Sequence, residues 1–292
     1  MNYTLIIPIY NEINNIKNSI AVLENFLKNR KNFNCIIVND GSTDGTEDYL
    51  NKINHERIRV LDKVNGGYGS AIKYGSKYVE TKYFGIIDAD ATYPIDEFDR
   101  MIENLDTYDM VVGSRTSKNS SIPIIKKIPK YFLRLLCSYL TNKKILDFNS
   151  GMRLFRTSLF RKYITFIPDG FSLTTTLTVI FSSLNFKIKF YEIDYFDRVG
   201  KSKIRPIRDT INFFLTITKL GIFFNPFRLY GPLIIFFFSI GLLFLIYRYI
   251  YGQGFLIVTI VSFLISFLLI MFSAISSAIS QLLLIKVHQE DD

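Results

Sequence analysis

Short apolar runs alternate with amphipathic ones through the first third of the chain. Tyr3 to Ile9 reads as a strand ended by Pro8 and the polar pair Asn11-Glu12, and from Asn15 to Arg30 apolar Ile16, Ile20, Leu23 and Leu27 recur at helical spacing. A second strand, Cys35 to Val38, runs into Asn39-Asp40-Gly41-Ser42-Thr43-Asp44-Gly45-Thr46 and a helix from Glu47 to Ile53. A third, Ile58 to Leu61, meets Asn65-Gly66-Gly67-Tyr68-Gly69-Ser70 before a helix from Ala71 to Tyr78. The fourth, Tyr83 to Ile87, delivers Asp88-Ala89-Asp90-Ala91-Thr92-Tyr93-Pro94. Such alternation predicts an α/β fold with a mostly parallel sheet, whose ligands bind beyond the carboxyl ends of the strands. Every polar cluster just named lies at such an end.

The last quarter has a different pattern. No charge occurs from Leu229 to Tyr247 or from Gly254 to Ile285, and each stretch approaches or exceeds the roughly 20 residues that cross a bilayer. Arg248 to Gln253 is a short connection, so the two stretches predict a transmembrane hairpin, about 229–250 and 254–285, with both ends on one side. Arg205, Arg208, Lys219, Arg228 and Lys286 flank that side against Arg248 on the other, which places the body of the protein, both termini and the 286–292 tail in the cytoplasm. Two more stretches have apolar faces with basic edges. Ile122 to Leu140 mixes Lys126, Lys127, Lys130 and Arg134 with Ile128, Tyr131, Phe132, Leu135 and Leu136, and Ile207 to Phe227 lines up Ile211, Phe214, Leu215, Thr218 and Ile222. Both read either as interfacial helices or as core-facing ones. The resulting division is 1–205 as the α/β domain, 206–228 as an amphipathic region and 229–285 as the hairpin.

Composition narrows the chemistry. The formal charge of +9 points to anionic partners, and because the basic residues flank apolar helices rather than forming a polar stripe, lipid or phosphorylated substrates are favoured over nucleic acid. Two cysteines and two distant histidines exclude a disulfide framework and zinc-ligand spacing. The first residues lack the basic and apolar regions of a cleaved signal peptide. In Asp88-Ala89-Asp90 the first and third side chains of an extended segment point the same way, and two hard oxygen donors suit Mg²⁺ or Mn²⁺ carrying a diphosphate. Glu12 and Asp40 are available for ribose and base hydrogen bonds. Taken singly, each cluster also reads as a turn, a helix cap or a flexible connection. Gly200-Lys201-Ser202 fails as a P-loop because Tyr195 stands where a glycine is needed, and Gly67-Tyr68-Gly69 fails as a dinucleotide fingerprint because Ile72 replaces the third glycine.

The runs Ile6-Ile7-Pro8-Ile9-Tyr10-Asn11-Glu12, Val38-Asn39-Asp40-Gly41-Ser42-Thr43-Asp44, Asp88-Ala89-Asp90 and Gly113-Ser114-Arg115 together resemble the family 2 glycosyltransferases of the GT-A fold, a Rossmann-like architecture. Asn149-Ser150-Gly151-Met152-Arg153-Leu154-Phe155 and Arg198-Val199-Gly200-Lys201-Ser202-Lys203-Ile204 resemble the branch that moves a sugar onto a polyprenyl phosphate, the dolichyl-phosphate mannose synthase-like and GtrB-like enzymes. The resemblance, over roughly residues 3 to 228, implies that Pro8, Tyr10, Glu12, Asp40, Asp88, Ala89 and Arg115 bind a UDP- or GDP-sugar. It implies a metal on Asp88 and Asp90, and catalysis by Asp90, Arg115 and Arg198. Phosphate or lipid phosphate would fall to Arg198, Lys201, Lys203, Ser150 and Arg153. The chain departs from the pattern at Asn39, at Thr92 and at Leu173 to Thr176. Expected partners are a nucleotide sugar, a polyprenyl phosphate, the bilayer of an inner or plasma membrane and a second copy of the chain. A processive polysaccharide synthase is a rival, although this chain has no Trp for the usual Gln-x-x-Arg-Trp motif. A catalytically silent nucleotide-sugar scaffold is another.

Overall fold

The computed structural model describes residues 2–117, 124–170, 172–196 and 206–289. Strands β1 (Tyr3–Ile9), β2 (Phe33–Asp40), β3 (Ile58–Lys63) and β4 (Tyr83–Ile86) alternate with helices α1 (Ile16–Lys28), α2 (Thr46–Leu50) and α3 (Tyr68–Ser76). Then come α4 (Phe98–Ile102), β5 (Met110–Ser114), α5 (Ile124–Thr141), β6 (Arg153–Arg156), α6 (Thr157–Lys162), α7 (Leu173–Ser183) and β7 (Ile188–Glu192). The chain continues into α8 (Pro206–Phe224), α9 (Pro226–Tyr251) and α10 (Leu256–Gln289).

Among the described residues, seven strands form one sheet in the order β3-β2-β1-β4-β6-β5-β7. Successive side chains of a strand face opposite sides, so Leu5 and Ile7 of β1 join the layer with α1, while Ile6 joins the layer with α3 and α7. Both faces of β1 are covered, which is why it reads as a nearly unbroken apolar run. Only β6 is antiparallel to its neighbours, with Arg153 opposite both Ile86 of β4 and Val112 of β5. Its amino end therefore lies beside the carboxyl ends of β4 and β5, and the loop before it reaches the same edge as the βα loops.

Tyr68-Gly69-Ser70, which the pattern leaves in a loop, forms the first turn of α3, because Gly67 at φ +95° turns the chain one residue earlier. Helix α5 has two faces: Leu133, Cys137 and Leu140 are buried, whereas Ile128, Tyr131, Phe132, Leu135 and Tyr139 are exposed. On α8, Ile217 and Leu220 face inward, while Ile211, Phe214 and Leu215 are exposed. Helices α9 and α10 are each long and apolar enough to cross a membrane. Small polar residues lie between them, with the Ser266 hydroxyl donating to the Ile234 carbonyl at 3.2 Å, and their outer faces expose Ile235, Phe236, Ile257 and Phe272. That pattern, small residues inward and large apolar ones outward, is the one a lipid solvent favours.

Candidate active site

The acidic loop follows β4 directly. The Ile87 amide still donates to the Ile6 carbonyl at 3.3 Å, which carries the extended backbone to the edge of Asp88. Asp88 Oδ1 accepts from the Tyr68 hydroxyl at 2.9 Å, and Asp90 Oδ1 accepts from the Thr92 hydroxyl at 2.6 Å and the Thr92 amide at 3.2 Å. Ala91 turns the loop at φ 55°. Thr92 is fully buried and supports Asp90 from behind. Its place in the motif is that of a positioning group. The Asp88 carboxylate nests on the backbone of Gly151, where a Cβ would stand 2.4 Å from Oδ2. Two partly exposed carboxylates, two residues apart and each steadied by a hydroxyl, fit a hard divalent cation. Sequence reasoning missed Tyr68, whose only signal is an aromatic residue inside a glycine-rich run.

On the β1–β2 side, side chains tie neighbouring loops together. The Asn11 amide donates to Ser42 Oγ at 3.0 Å, Glu12 N to Thr46 Oγ1 at 3.0 Å, and Ile13 N to Asp44 Oδ2 at 3.1 Å. Asp40 is buried and gathers the Lys63 ammonium at 2.6 Å and the Gly66 and Gly67 amides at 3.0 and 2.7 Å. Asn39 donates to Asp62 at 2.8 Å and accepts from the Ser42 amide, so it braces the turn. Tyr10 is exposed at the lip, Glu12 is half-buried, and Pro8 lies in β1 opposite Val38. The glycines serve a contact that the sequence did not signal. A Cβ on Gly69 would lie 2.1 Å from the Pro168 carbonyl oxygen, and one on Gly67 2.8 Å from that of Asp169. The turn is a seat for another loop, not a flexible connection.

On the β5–β6 side, three residues expected at substrate are engaged within the protein. Arg115 forms a bidentate pair with Asp147, Nε to Oδ2 at 2.7 Å and Nη2 to Oδ1 at 2.9 Å, and also donates to Asn149 Oδ1 at 2.6 Å. Burial alone would raise the Asp147 pKa, but the Arg115 charge and hydrogen bonds hold it well below the carboxylate range. The guanidinium thus anchors the 147–149 turn and lies against the Tyr195 ring. Arg153 and Ser150, expected at phosphate, are fully buried. Arg153 donates to the Ser150 carbonyl at 2.8 Å, the Phe148 carbonyl at 2.9 Å and the Thr178 hydroxyl at 2.8 Å. Burial pulls its pKa down to about 10, against the opposing charge of Asp147. Ser150 donates to the Gly113 carbonyl. Both residues build the floor beneath Asp88, because the antiparallel β6 turns the start of this run into the sheet. Arg198, Lys201 and Lys203 lie outside the described residues. Asp147 was not foreseen: a lone acid in Ile145-Leu146-Asp147-Phe148 carries no motif.

Comparison with known proteins gives a consistent family and fold. The family model described as "Glycosyl transferase family 2" matches residues 4–164. An uncharacterised glycosyltransferase of Rickettsia conorii is 34% identical over 109 residues, 36% of this chain and 17% of the relative's own length. The glycosyltransferase AglJ of Haloferax volcanii is 24% identical over 235 residues, 78% of this chain and 74% of AglJ. Among solved structures, glucosyl-3-phosphoglycerate synthase from Mycobacterium tuberculosis, in complex with Mn²⁺, UDP and phosphoglyceric acid, matches with a TM-score of 0.55 at 18% identity, over 75% of this chain and 78% of that one. TarS 1–349 of S. aureus, in complex with UDP-GlcNAc, matches with a TM-score of 0.53 at 20% identity, over 76% and 66%. These two likenesses are of fold.

Proposed function

The chain belongs to glycosyl transferase family 2, and we propose that it moves a hexose-like sugar from a UDP- or GDP-sugar to a polyprenyl phosphate at a membrane surface, with inversion at the anomeric carbon. The observation that carries the lipid acceptor is continuity. The exposed apolar faces of α5 and α8 adjoin the foot of α9, where the Tyr139 hydroxyl donates to the Arg228 carbonyl at 2.8 Å and Arg228 Nη1 donates back to the Tyr139 carbonyl at 3.1 Å. An apolar face clasped to a candidate span suits a crevice laid against the inner leaflet, both termini cytoplasmic. Lys130 and Arg134 at the edge of α5 would meet anionic headgroups, each adding about 1 kcal/mol of attraction. Nucleic acid has no part in this reading.

The donor would lie beyond the carboxyl ends of β1, β2 and β4. The Gly67 amide uses one lone pair of Asp40 Oδ2, and a base N–H would use the other. Glu12 and Tyr10 would flank the nucleoside. Asp88 and Asp90 would hold Mg²⁺ or Mn²⁺, which when bound offsets the charge that grows on the departing diphosphate. Tyr68 and Thr92 keep the two carboxylates in place before any ligand arrives. A phosphate monoester has a second pKa of about 6, so the acceptor is largely dianionic near neutrality and attacks without a strong base. Arg198, Lys201 and Lys203 would bring that phosphate in. Incubating the membrane-embedded protein with labelled nucleotide sugars and polyprenyl phosphate tests the reading. A chloroform-extractable labelled lipid is expected. Label in a long water-soluble polymer, or donor binding with no transfer, overturns it.

A further inference from the structure

The glycine-rich turn and the segment that launches α7 are locked together, and Lys73 closes the lock. Its ammonium, on α3, donates to the Ile167 carbonyl at 3.0 Å and pairs with the Asp169 carboxylate. The Ser70 amide donates to the Asp169 carbonyl at 3.0 Å, so two residues of one helix hold one short loop. The glycines at 67 and 69 admit that loop to backbone contact, where any side chain would collide with the carbonyls of Asp169 and Pro168. The pair of Lys73 with Asp169 would add little by itself, since the Asp169 side chain is 65% exposed. What distinguishes it is the company it keeps, a carbonyl acceptor and a glycine seat on the same loop.

Each end of this assembly leads to a different part of the molecule. The turn is held from the other side by Asp40, through the Gly66 and Gly67 amides. The same helix starts at Tyr68, which donates to Asp88. The loop, in the other direction, leads to α7, which packs on α5 and α8, the helices whose outer faces are apolar and exposed. A shift of the 167–170 loop therefore pushes on a turn shared with Asp40 and on a helix shared with Asp88. Occupation of the nucleotide side fixes the turn from the opposite direction.

We propose that Lys73 is a positioning residue that couples seating of the nucleotide at the glycine-rich turn to the order of the 167–170 loop on the acceptor side. The proposal rests on the donor reading given above, and deepens it by naming the connection between the two substrate sides. It assigns Lys73 no contact with either substrate. Its signature is a transmitted effect: ligand at one place, protection at another.

Amide exchange of the full chain in detergent micelles, with and without UDP or GDP plus Mn²⁺, reads this directly, and calorimetric titration of the same nucleotides reads binding separately. In the unaltered chain, the nucleotide should slow exchange about tenfold at both 66–70 and 167–170. Lys73→Met should keep the slowing at 66–70 and nucleotide affinity within about threefold, yet lose it at 167–170. Lys73→Arg should restore it. In the transfer assay Lys73→Met should raise the acceptor KM about fivefold and leave the donor KM within about twofold. Protection at 167–170 that survives in Lys73→Met overturns the proposal, as does equal loss at both places with a fall in melting temperature, which marks a merely structural residue. Absence of nucleotide binding by the unaltered chain overturns the donor reading instead. Normal coupling without lipid transfer overturns only the acceptor.

Discussion

The loops after β1, β2 and β4 and the loop before β6 meet at one edge of the sheet but use their polar side chains in opposite ways. After the parallel strands, Glu12, Asp88 and Asp90 remain partly exposed at the crevice, and the hydroxyls of Ser42, Thr46, Tyr68 and Thr92 hold the loops from behind. Before β6, Asp147, Ser150 and Arg153 turn into the protein: Asp147 accepts from Arg115, Ser150 donates to the Gly113 carbonyl and Arg153 donates to the Ser150 carbonyl. The difference follows from strand direction. A parallel strand arrives from below and releases its polar residues at the rim, whereas β6 starts at the rim and runs down, so the first residues of its run are already core. One region leaves carboxylates within reach of a ligand, and the other supplies the buried floor under them.

Substitutions should separate the two roles. Asp90→Ala is expected to have the largest effect, a fall in transfer of about 10³-fold, with the melting temperature almost unchanged because the side chain is at the rim. A folded Asp90→Ala protein with full metal-dependent transfer would place the chemistry elsewhere. Arg153→Met should do the reverse and lower stability by about 3 kcal/mol, since it removes buried charged donors from the Ser150 and Phe148 carbonyls and from the Thr178 hydroxyl. Chemical denaturation of the detergent-solubilised protein measures it. An Arg153→Met chain as stable as the original, with donor affinity lost, would restore Arg153 to the phosphate site. Gly151→Ala crosses the comparison: the floor residue would press on Asp88 through a Cβ at 2.4 Å. Displacement of that carboxylate by about an ångström should reduce transfer by about 10²-fold. Mn²⁺ affinity, measured apart from activity, should fall with it, and unchanged affinity would break the link between floor and rim.

The same contrast explains what could be read from the amino acids. Alternation of Leu5 and Ile7 with Ile6 is a local signal, and it correctly placed a mostly parallel sheet with its polar ends on one edge. Asp88 and Asp90 could be named as a pair from their spacing alone, but the chain turns at Ala89-Asp90 instead of staying extended, and the two carboxylates are steadied by different hydroxyls, those of Tyr68 and Thr92. Tyr68 could not be named, because its partner is 20 positions away and brought near only by the packing of α3. The inward turn of Ser150 and Arg153 was not legible, because a motif records which residues stand together and not which way the strand beneath them runs. The glycine-rich turn was open to two readings, and the structure chose a third, a seat defined by Asp169 and Pro168 some 100 residues later.

The smallest expected effect lies in acid. Asp44 and Asp147 each stand for one region. Burial would raise both pKa values, but the Thr46 hydroxyl and the Ile13 and Thr46 amides lower that of Asp44, and Arg115 lowers that of Asp147 further. A carboxylate whose folded pKa is depressed adds stability that is complete above its unfolded value of about 3.9 and is lost as pH falls through the folded value. Both should therefore leave stability flat from pH 7 to about 5 and contribute to its decline below about pH 4. Asp147, enclosed with a guanidinium, should account for more of the slope than Asp44 at the surface. Denaturation midpoints between pH 5 and pH 3 test this through slopes rather than absolute values, because Asp147→Asn also strands Arg115. Asp147→Asn should flatten the acid slope more than Asp44→Asn. A larger flattening from Asp44 would mean that the rim, rather than the floor, holds the crevice together as protons arrive.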